Sequence, residues 1–326
     1  MIAAMFGIHP IGRREAVNFP VSNDPCPRIS LADNAPLPAP LVIYVEPTNL
    51  CMYKCDWCPV SLPKYRETVG EKKHMEVELY ARLMDEIREW KGVKVIRPFY
   101  FGESLLHPQI GELLRLSTRA LDRVEFTTTA LPMTERHAQE IIDAGVHYLR
   151  VSLYPTQPNW DKIRDNVFRL RKMRDEQGKT KPFICVKVFL ASEMPLAKLS
   201  YGGIADDFWT EGFHSMGSDC IPLLPSKSEK IACPFPFYML IVKVNGDVVP
   251  CPVAWEKSLT MGNVHRNTLR EIWNGPAWEK LRLDHLAGMR KDYAACKDCD
   301  TLHCCNDSVE GLTQLEYEKR RRIYGY

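Results

Sequence analysis

CMYKCDWC, residues 51–58, carries three cysteines at spacings of four and three. The set is one thiolate short of the four that structural zinc or an iron–sulfur cubane takes from a protein. Three thiolates on one short loop leave a metal corner open to an exchangeable ligand, and an open metal corner is where chemistry occurs. With 12 cysteines in 326 residues, this spacing arises by chance in about 2% of such chains. The surroundings strengthen it. The preceding LVIYVE, residues 41–46, reads as a buried strand, and Pro47, Thr48 and Asn49 turn it into a loop. A loop at the C-terminal mouth of a parallel strand is where barrel enzymes keep their sites.

Outward from that loop, strand-like and helix-like stretches alternate. Strands are expected at 41–46, 94–101, 123–128, 147–154 and 183–190, with a sixth inside 204–224. Met75, Leu79, Leu83 and Ile87 repeat every four residues along a helix at 75–90. Thr134 caps a helix ending near Gly145, and 160–177 forms another. Such alternation predicts a parallel sheet with right-handed crossovers. Six strands are too few for a closed eight-stranded barrel. The expected fold is therefore α/β: an open, partial (β/α)6 TIM-like barrel. Seven prolines within residues 1–40 mark an extended arm, and 191–232 reads as bridging loops. A small α+β unit follows. It has a hairpin at 237–250 turning at Asn245-Gly246, a helix at 268–286 and a cysteine-dense end. The division expected is 1–40 arm, 41–225 barrel, 226–310 second domain and 311–326 tail.

Formal net charge is +2, from 43 basic and 41 acidic residues. No clustered basic face points to a nucleic-acid partner. Lys319–Arg322 reads as a solvated helix face. MIAAMFGIHP is too short, and lacks the basic start, for a secretion signal. No run nears the ~20 apolar residues of a membrane span. These features place the chain in the cytoplasm with no membrane partner, where cysteines serve as metal ligands more often than as disulfides. The nine histidines form no zinc-protease pattern, and no serine-nucleophile elbow appears.

CMYKCDWC after EPTNL resembles the C-x3-C-x-aromatic-C signature of the radical S-adenosylmethionine (SAM) superfamily. FGESLLHP at 101–108 resembles its G-G-E segment, with Phe101 in place of the first glycine. TTTA at 127–130 stands where many members read T-N-G. AGVHYLRVSLY at 144–154 resembles the strand with a ribose-contacting serine. Cys233, then G-D-V-V-P-C ending at Cys251, then GNV…LREIWN and Cys296-x2-Cys299 resemble a SPASM or twitch domain, the superfamily's auxiliary-cluster module. The longer SPASM cysteine run fails at Val309, so one auxiliary cluster is implied rather than two.

The resemblance implies two 4Fe–4S clusters and SAM as cofactors. Cys51, Cys55 and Cys58 would hold the first cluster, with SAM on its open iron. Cys233, Cys251, Cys296 and Cys299 would hold the auxiliary one, with Cys305 as a possible substitute ligand. A zinc knuckle completed by His74, and structural zinc at the second set, are the alternatives. SAM contacts are implied for Trp57 (adenine), Glu103 (ammonium), Ser152 (ribose), Arg150 (carboxylate), Thr128 and Lys187. Plain burial for Trp57, a helix N-terminal acid for Glu103 and a satisfied strand serine for Ser152 are the simpler readings. The implied function is a radical SAM oxidoreductase of natural-product biosynthesis. A 5′-deoxyadenosyl radical takes hydrogen from a sugar- or aminocyclitol-like small molecule. The auxiliary cluster then accepts an electron as an alcohol becomes a ketone. An epimerase using Cys220, Cys304 or Cys305 as thiol hydrogen donor is the alternative, as is peptide modification, against which the lack of a leader-peptide domain before residue 41 counts. The implied partners are the substrate and a one-electron donor such as flavodoxin or ferredoxin.

Overall fold

The computed structural model describes residues 29–71, 73–154, 159–210, 231–255, 259–299, 301–304 and 307–325. Six parallel strands alternate with helices: β1 (Val42–Val45), α1 (Val77–Glu89), β2 (Val95–Arg97), α2 (Ile110–Ala120), β3 (Glu125–Thr128), α3 (Glu135–Ala144), β4 (Tyr148–Leu153), α4 (Trp160–Glu176), β5 (Phe183–Val188), α5 (Met194–Tyr201) and β6 (Asp207–Thr210). The strand expected within 204–224 is β6, parallel to β5. β1 pairs with β2, and β3 through β6 pair in order; between β2 and β3 the backbone pairing is reduced to the isolated bridge Ile96–Val124. This is the open, partial TIM-like barrel.

Each strand separates its two faces by alternation. Leu149, Val151 and Leu153 of β4 pack with Ile184, Val186 and Val188 of β5 and with Ile163, Val167 and Leu170 of α4 in one buried cluster. The other face, away from the helices, carries Arg150 and Ser152 opposite Cys185 and Lys187. The concave side of the sheet is therefore polar. In α1 the buried stripe is Tyr80, Leu83, Met84 and Ile87. Leu79 is only partly buried against the core, because the helix starts at Val77 and turns Tyr80 inward.

The second unit does not form its own sheet. β7 (Met239–Val242) lies parallel to β1, with Val42 opposite Met239 and Val45 opposite Val242. β8 (Asp247–Val249) and β9 (Gly262–Asn263) continue antiparallel. The hairpin is real, but its loop has three residues, 244–246, not a two-residue Asn-Gly turn. Lys243 N–H donates to Asp247 O at 2.8 Å, Gly246 N–H donates to Lys243 O at 2.8 Å, and Gly246 has φ +85°. That left-handed third position is the glycine-bulge form of the turn. The single helix expected at 268–286 is two: α6 (Leu269–Trp273) and α7 (Pro276–Leu286). Pro276 has no N–H to continue the first and opens the second at N1.

The first and last described segments pack onto the fold. Leu31, Ala35, Leu37 and Ala39 are buried in the barrel-side core, and Trp273 Nε1 donates to Leu37 O at 3.1 Å. Residues 29–40 are thus packed, not a free arm. The last helix, α8 (Gln314–Tyr324), buries Tyr317. Its basic run is split: Arg320 donates to Ala32 O at 2.7 Å and Arg321 pairs with Glu279 at 2.9 Å, while Lys319 and Arg322 face solvent. No described helix is long and apolar enough to cross a membrane.

Glu46, at the end of β1, joins three segments. Its carboxylate is fully buried and accepts from Phe101 N–H at 3.3 Å and Val244 N–H at 2.9 Å. Burial pushes its pKa up to about 7, against the opposing pull of those N–H groups and of Lys243. A raised carboxyl keeps its proton in the folded state after the unfolded chain has lost it. Its contribution is full below about pH 4.5 and is lost as pH rises through about 7. Stability should therefore fall by ~3 kcal/mol across that window from this group alone. Glu46→Gln is expected to unfold more easily at pH 5, through one lost acceptor, but to show a flatter denaturant midpoint between pH 5 and 7.5. A slope equal to wild type would refute the assignment.

Candidate active site

The three-cysteine loop hangs from a rigid bracket. Thr48 Oγ1 donates to Lys73 O at 3.0 Å and accepts from Leu50 N–H at 3.1 Å. The Asn49 side chain accepts from Lys73 N–H at 2.8 Å and donates to Glu71 O at 3.2 Å. These Asx- and Thr-type contacts reinforce the isolated antiparallel bridge between Thr48 and His74. Cys51, Cys55 and Cys58 are all half-buried, and Cys58 N–H donates to Cys55 O at 3.0 Å. The loop therefore presents its thiols at the C-terminal mouth of β1. His74, the alternative zinc ligand, packs against His107, 5.2 Å between ring centres.

Gly102 and Glu103 clamp the loop from the β2 side. Glu103 N–H donates to Leu50 O at 2.8 Å. A Cβ on Gly102 would stand 1.9 Å from Thr48 O, so the backbones touch there. The Glu103 carboxylate is buried and takes four donors: Thr128 Oγ1 at 2.7 Å, Leu105 N–H at 3.1 Å, and Thr129 N–H and Oγ1 at 2.8 and 2.7 Å. Its capping of the short helix Ser104–Leu106 agrees with the simpler reading of this acid. Glu103 and Thr128 are thus brought into contact. Thr128 in turn accepts from Ala130 N–H at 2.9 Å, and Ala130 has φ +57°. Alanine occupies a left-handed position that favours glycine, the residue of the T-N-G pattern.

The polar concave face holds the rest. Ser152 is buried and its hydroxyl has no hydrogen-bond partner, nor has the buried Thr127 hydroxyl. Arg150 Nη1 donates to Glu125 at 2.9 Å, while its Nε has no partner. Arg97 and Arg123 also bind Glu125, at 2.7 and 2.9 Å. Burial alone would raise the Glu125 pKa, but the three guanidiniums outweigh it and hold the carboxyl well below the usual range. Lys187 Nζ lies 4.8 Å over the Phe189 ring. Phe189 stacks on Tyr154 at 4.5 Å, and Tyr154 meets Trp57 at 5.6 Å. Trp57 therefore ends an aromatic row across the mouths of β4 and β5. Orphaned buried hydroxyls beside an aromatic row suit a ligand with both sugar hydroxyls and a flat ring.

Cys233, Cys251, Cys296 and Cys299 line one mostly apolar cavity, with His285 and Arg290 in its wall. Among the described residues, no three His, Cys, Asp or Glu side chains gather closely enough to hold a single metal ion. Burial first, and then the neighbouring Cys296, Cys233 and Cys299, push the Cys251 thiol well up; burial and Cys299 push Cys296 up to about 12. Four thiols facing one dry pocket fit a cationic cluster core that takes thiolates. Cys220 and Cys305 lie outside the described residues, as does the side chain of Cys304. Cys185 is core, fully buried on β5. Sequence reasoning missed Tyr100, whose buried hydroxyl lacks a partner and whose pKa is raised by burial and then by Cys251, with Cys58 a smaller cause. It stands within electrostatic reach of both thiol sets.

Residues 45–177 match the family model of the radical SAM superfamily, and residues 233–300 match that of SPASM, an iron–sulfur cluster-binding domain. The S-adenosyl-L-methionine-dependent 2-deoxy-scyllo-inosamine dehydrogenase of Niallia circulans is 24% identical over 85% of this chain and 97% of its own. A crystal structure of BtrN in complex with AdoMet and 2-DOIA superposes with a TM-score of 0.60, at 19% identity over 85% of this chain and 97% of that one. Streptococcus suis SuiB bound to its precursor peptide SuiA gives 0.53, at 16% identity over 84% and 73%. Such likenesses establish the fold.

The contact at Gly102 is directly testable. Gly102→Ala must displace Thr48 and Leu50, because the colliding atoms are backbone. Anaerobically reconstituted variant should lose about half its iron, keeping roughly four of about eight atoms. Full iron content would show that the clamp is dispensable.

Proposed function

The chain belongs to the radical SAM superfamily and carries a SPASM-type cluster domain, so that iron–sulfur clusters and SAM are its cofactors; from that premise we propose that it oxidises an alcohol carbon of a small, hydroxylated substrate to a ketone. The observation that carries the reading is the pair of thiol sets: an incomplete one on the β1 loop and a closed set of four beside β7, the strand paired to β1. The similarity to an inosamine dehydrogenase supports an aminocyclitol- or sugar-like substrate.

Cys51, Cys55 and Cys58 hold the first cluster, and Cys233, Cys251, Cys296 and Cys299 the second. When bound, the first cluster and SAM, with one electron from a flavodoxin or ferredoxin, would supply the hydrogen-abstracting radical. The chain's own residues bind and orient. Ser152 offers its unpartnered hydroxyl to the SAM ribose, and Trp57 offers its ring to the adenine. Glu103 fixes Thr128 and Thr129 beside the loop; it meets the SAM ammonium when one threonine hydroxyl turns away. Arg150 offers its free Nε to a carboxylate, and Lys187 borders the same face. Ketone formation would take one hydrogen atom, one proton and one electron from the substrate, and the auxiliary cluster held by Cys233, Cys251, Cys296 and Cys299 would supply the acceptor for that electron.

Cys251→Ala separates the two halves. It should keep the first cluster and form 5′-deoxyadenosine from SAM and dithionite, while ketone formation falls to background. Ketone formation at the wild-type rate would rule out the auxiliary acceptor. An epimerised product from wild type would instead select the thiol-donor mechanism.

A further inference from the structure

The cavity among Cys233, Cys251, Cys296 and Cys299 is walled by groups such as Phe235 and Leu281, but two nitrogen side chains interrupt that wall. Arg290 donates from Nη1 to the Cys296 carbonyl. His285 is 1% exposed, and neither ring nitrogen has a hydrogen-bond partner. The Cys233 carbonyl lies near the ring without reaching hydrogen-bond geometry. The ring is held where it is. His285 continues the buried stripe of Trp278, Leu281 and Arg282 on α7, and its ring packs 6.1 Å from that of Tyr293. A fully buried imidazole with no partner is costly, and such a group in a native fold needs an explanation.

A 4Fe–4S cluster with four thiolates gains negative charge when it is reduced. A dry, apolar wall disfavours that added charge, which makes the cluster a poor electron acceptor. N–H donors to its sulfurs, and a nearby cation, favour the reduced form and raise the potential. We infer that His285 donates a ring N–H to a sulfur of the auxiliary cluster and, with the Arg290 guanidinium, raises its reduction potential to the level an electron acceptor needs. His285 is thus a positioning and tuning residue and not a ligand. This inference rests on the assignment of the four thiols made above.

The test uses full-length, reconstituted enzyme labelled with 15N-histidine. A Cys51→Ala/Cys55→Ala/Cys58→Ala variant isolates the auxiliary signal. Electron–nuclear double resonance of the reduced cluster should show one weak 15N coupling and an exchangeable proton. In redox titrations His285→Leu should lower the reduced-to-oxidised ratio at fixed poise about tenfold, ~59 mV for one electron. His285→Gln, which keeps an N–H donor, should recover most of that shift. No nitrogen coupling, a coupling of the size of direct ligation, or a His285→Leu potential equal to wild type at full iron content would overturn the inference alone. If His285→Leu fails to load iron, the labelled wild-type side chain still decides. Wild-type protein with only about four irons, unchanged by Cys251→Ala, would sink the thiol assignment itself and this inference with it.

Discussion

One buried carboxylate holds the two halves of the molecule in register. Glu46 ends β1, and from there its two oxygens reach the backbone of the loop that carries Gly102 and of the hairpin that leads to Cys251. Lys243, buried beside it, donates to Trp255 O at 3.1 Å. A carboxyl this deep, with or without its proton, is stable only with its hydrogen bonds made. Each of the three segments is thus obliged to sit where the acid needs it. The loop at 51–58 leaves the same strand five residues later, so both thiol sets are referenced to one residue.

The parallel pairing of β7 on β1 extends that logic. A cluster domain joined only by a linker would sample many orientations, and electron transfer across the gap would vary with each. Here a shared ladder of four register pairs fixes the hairpin against the barrel strand that carries the first loop. The aromatic groups between them are also shared: Tyr65 contacts both Phe101 and Trp255, at 6.1 and 5.8 Å. The barrel seam at β2–β3 has a single backbone bridge, reinforced by the Arg97–Glu125 ion pair.

Much of this was legible in local pattern. The strand–helix alternation, the Thr134 cap with Gly145 at the other end, and the cysteine spacings all depend on residues close in sequence, and each appears where expected. What escaped is non-local or is set by competing signals. Nothing near Met239 says that it will pair with Val42, about two hundred residues earlier. The charge cluster on Glu125 draws on three strands or their edges, and only the sheet brings it together. Asn274-Gly275-Pro276 does announce a helix break, but the apolar spacing on both sides hides it. His285 and Arg282 are polar residues on an apolar stripe, a pattern that marks burial without naming a purpose. The packing of residues 29–40 was obscured by proline, which reads as a linker yet also suits a rigid, docked segment.

The concave face argues hardest that this barrel is built around a ligand. A barrel that needs only stability fills its interior with branched aliphatic side chains in layers. Here the inward positions of β3, β4 and β5 include Glu125, Thr127, Arg150, Ser152 and Lys187, beside Tyr148, Phe183 and Cys185. Three guanidiniums satisfy Glu125, so that charge is compensated within the fold. The hydroxyls of Thr127 and Ser152 and the Nε of Arg150 are not satisfied by anything the described chain offers. Each such orphan lowers stability by roughly 1–3 kcal/mol, and buried polar groups in a native fold are ordinarily hydrogen-bonded. The same open barrel that leaves these groups unpaired also leaves them room. The polar floor, the aromatic row ending at Trp57 and the incomplete thiol set at the mouth pose three different chemical demands on one side of the barrel, which a nucleotide sulfonium and a polyhydroxylated substrate would meet together.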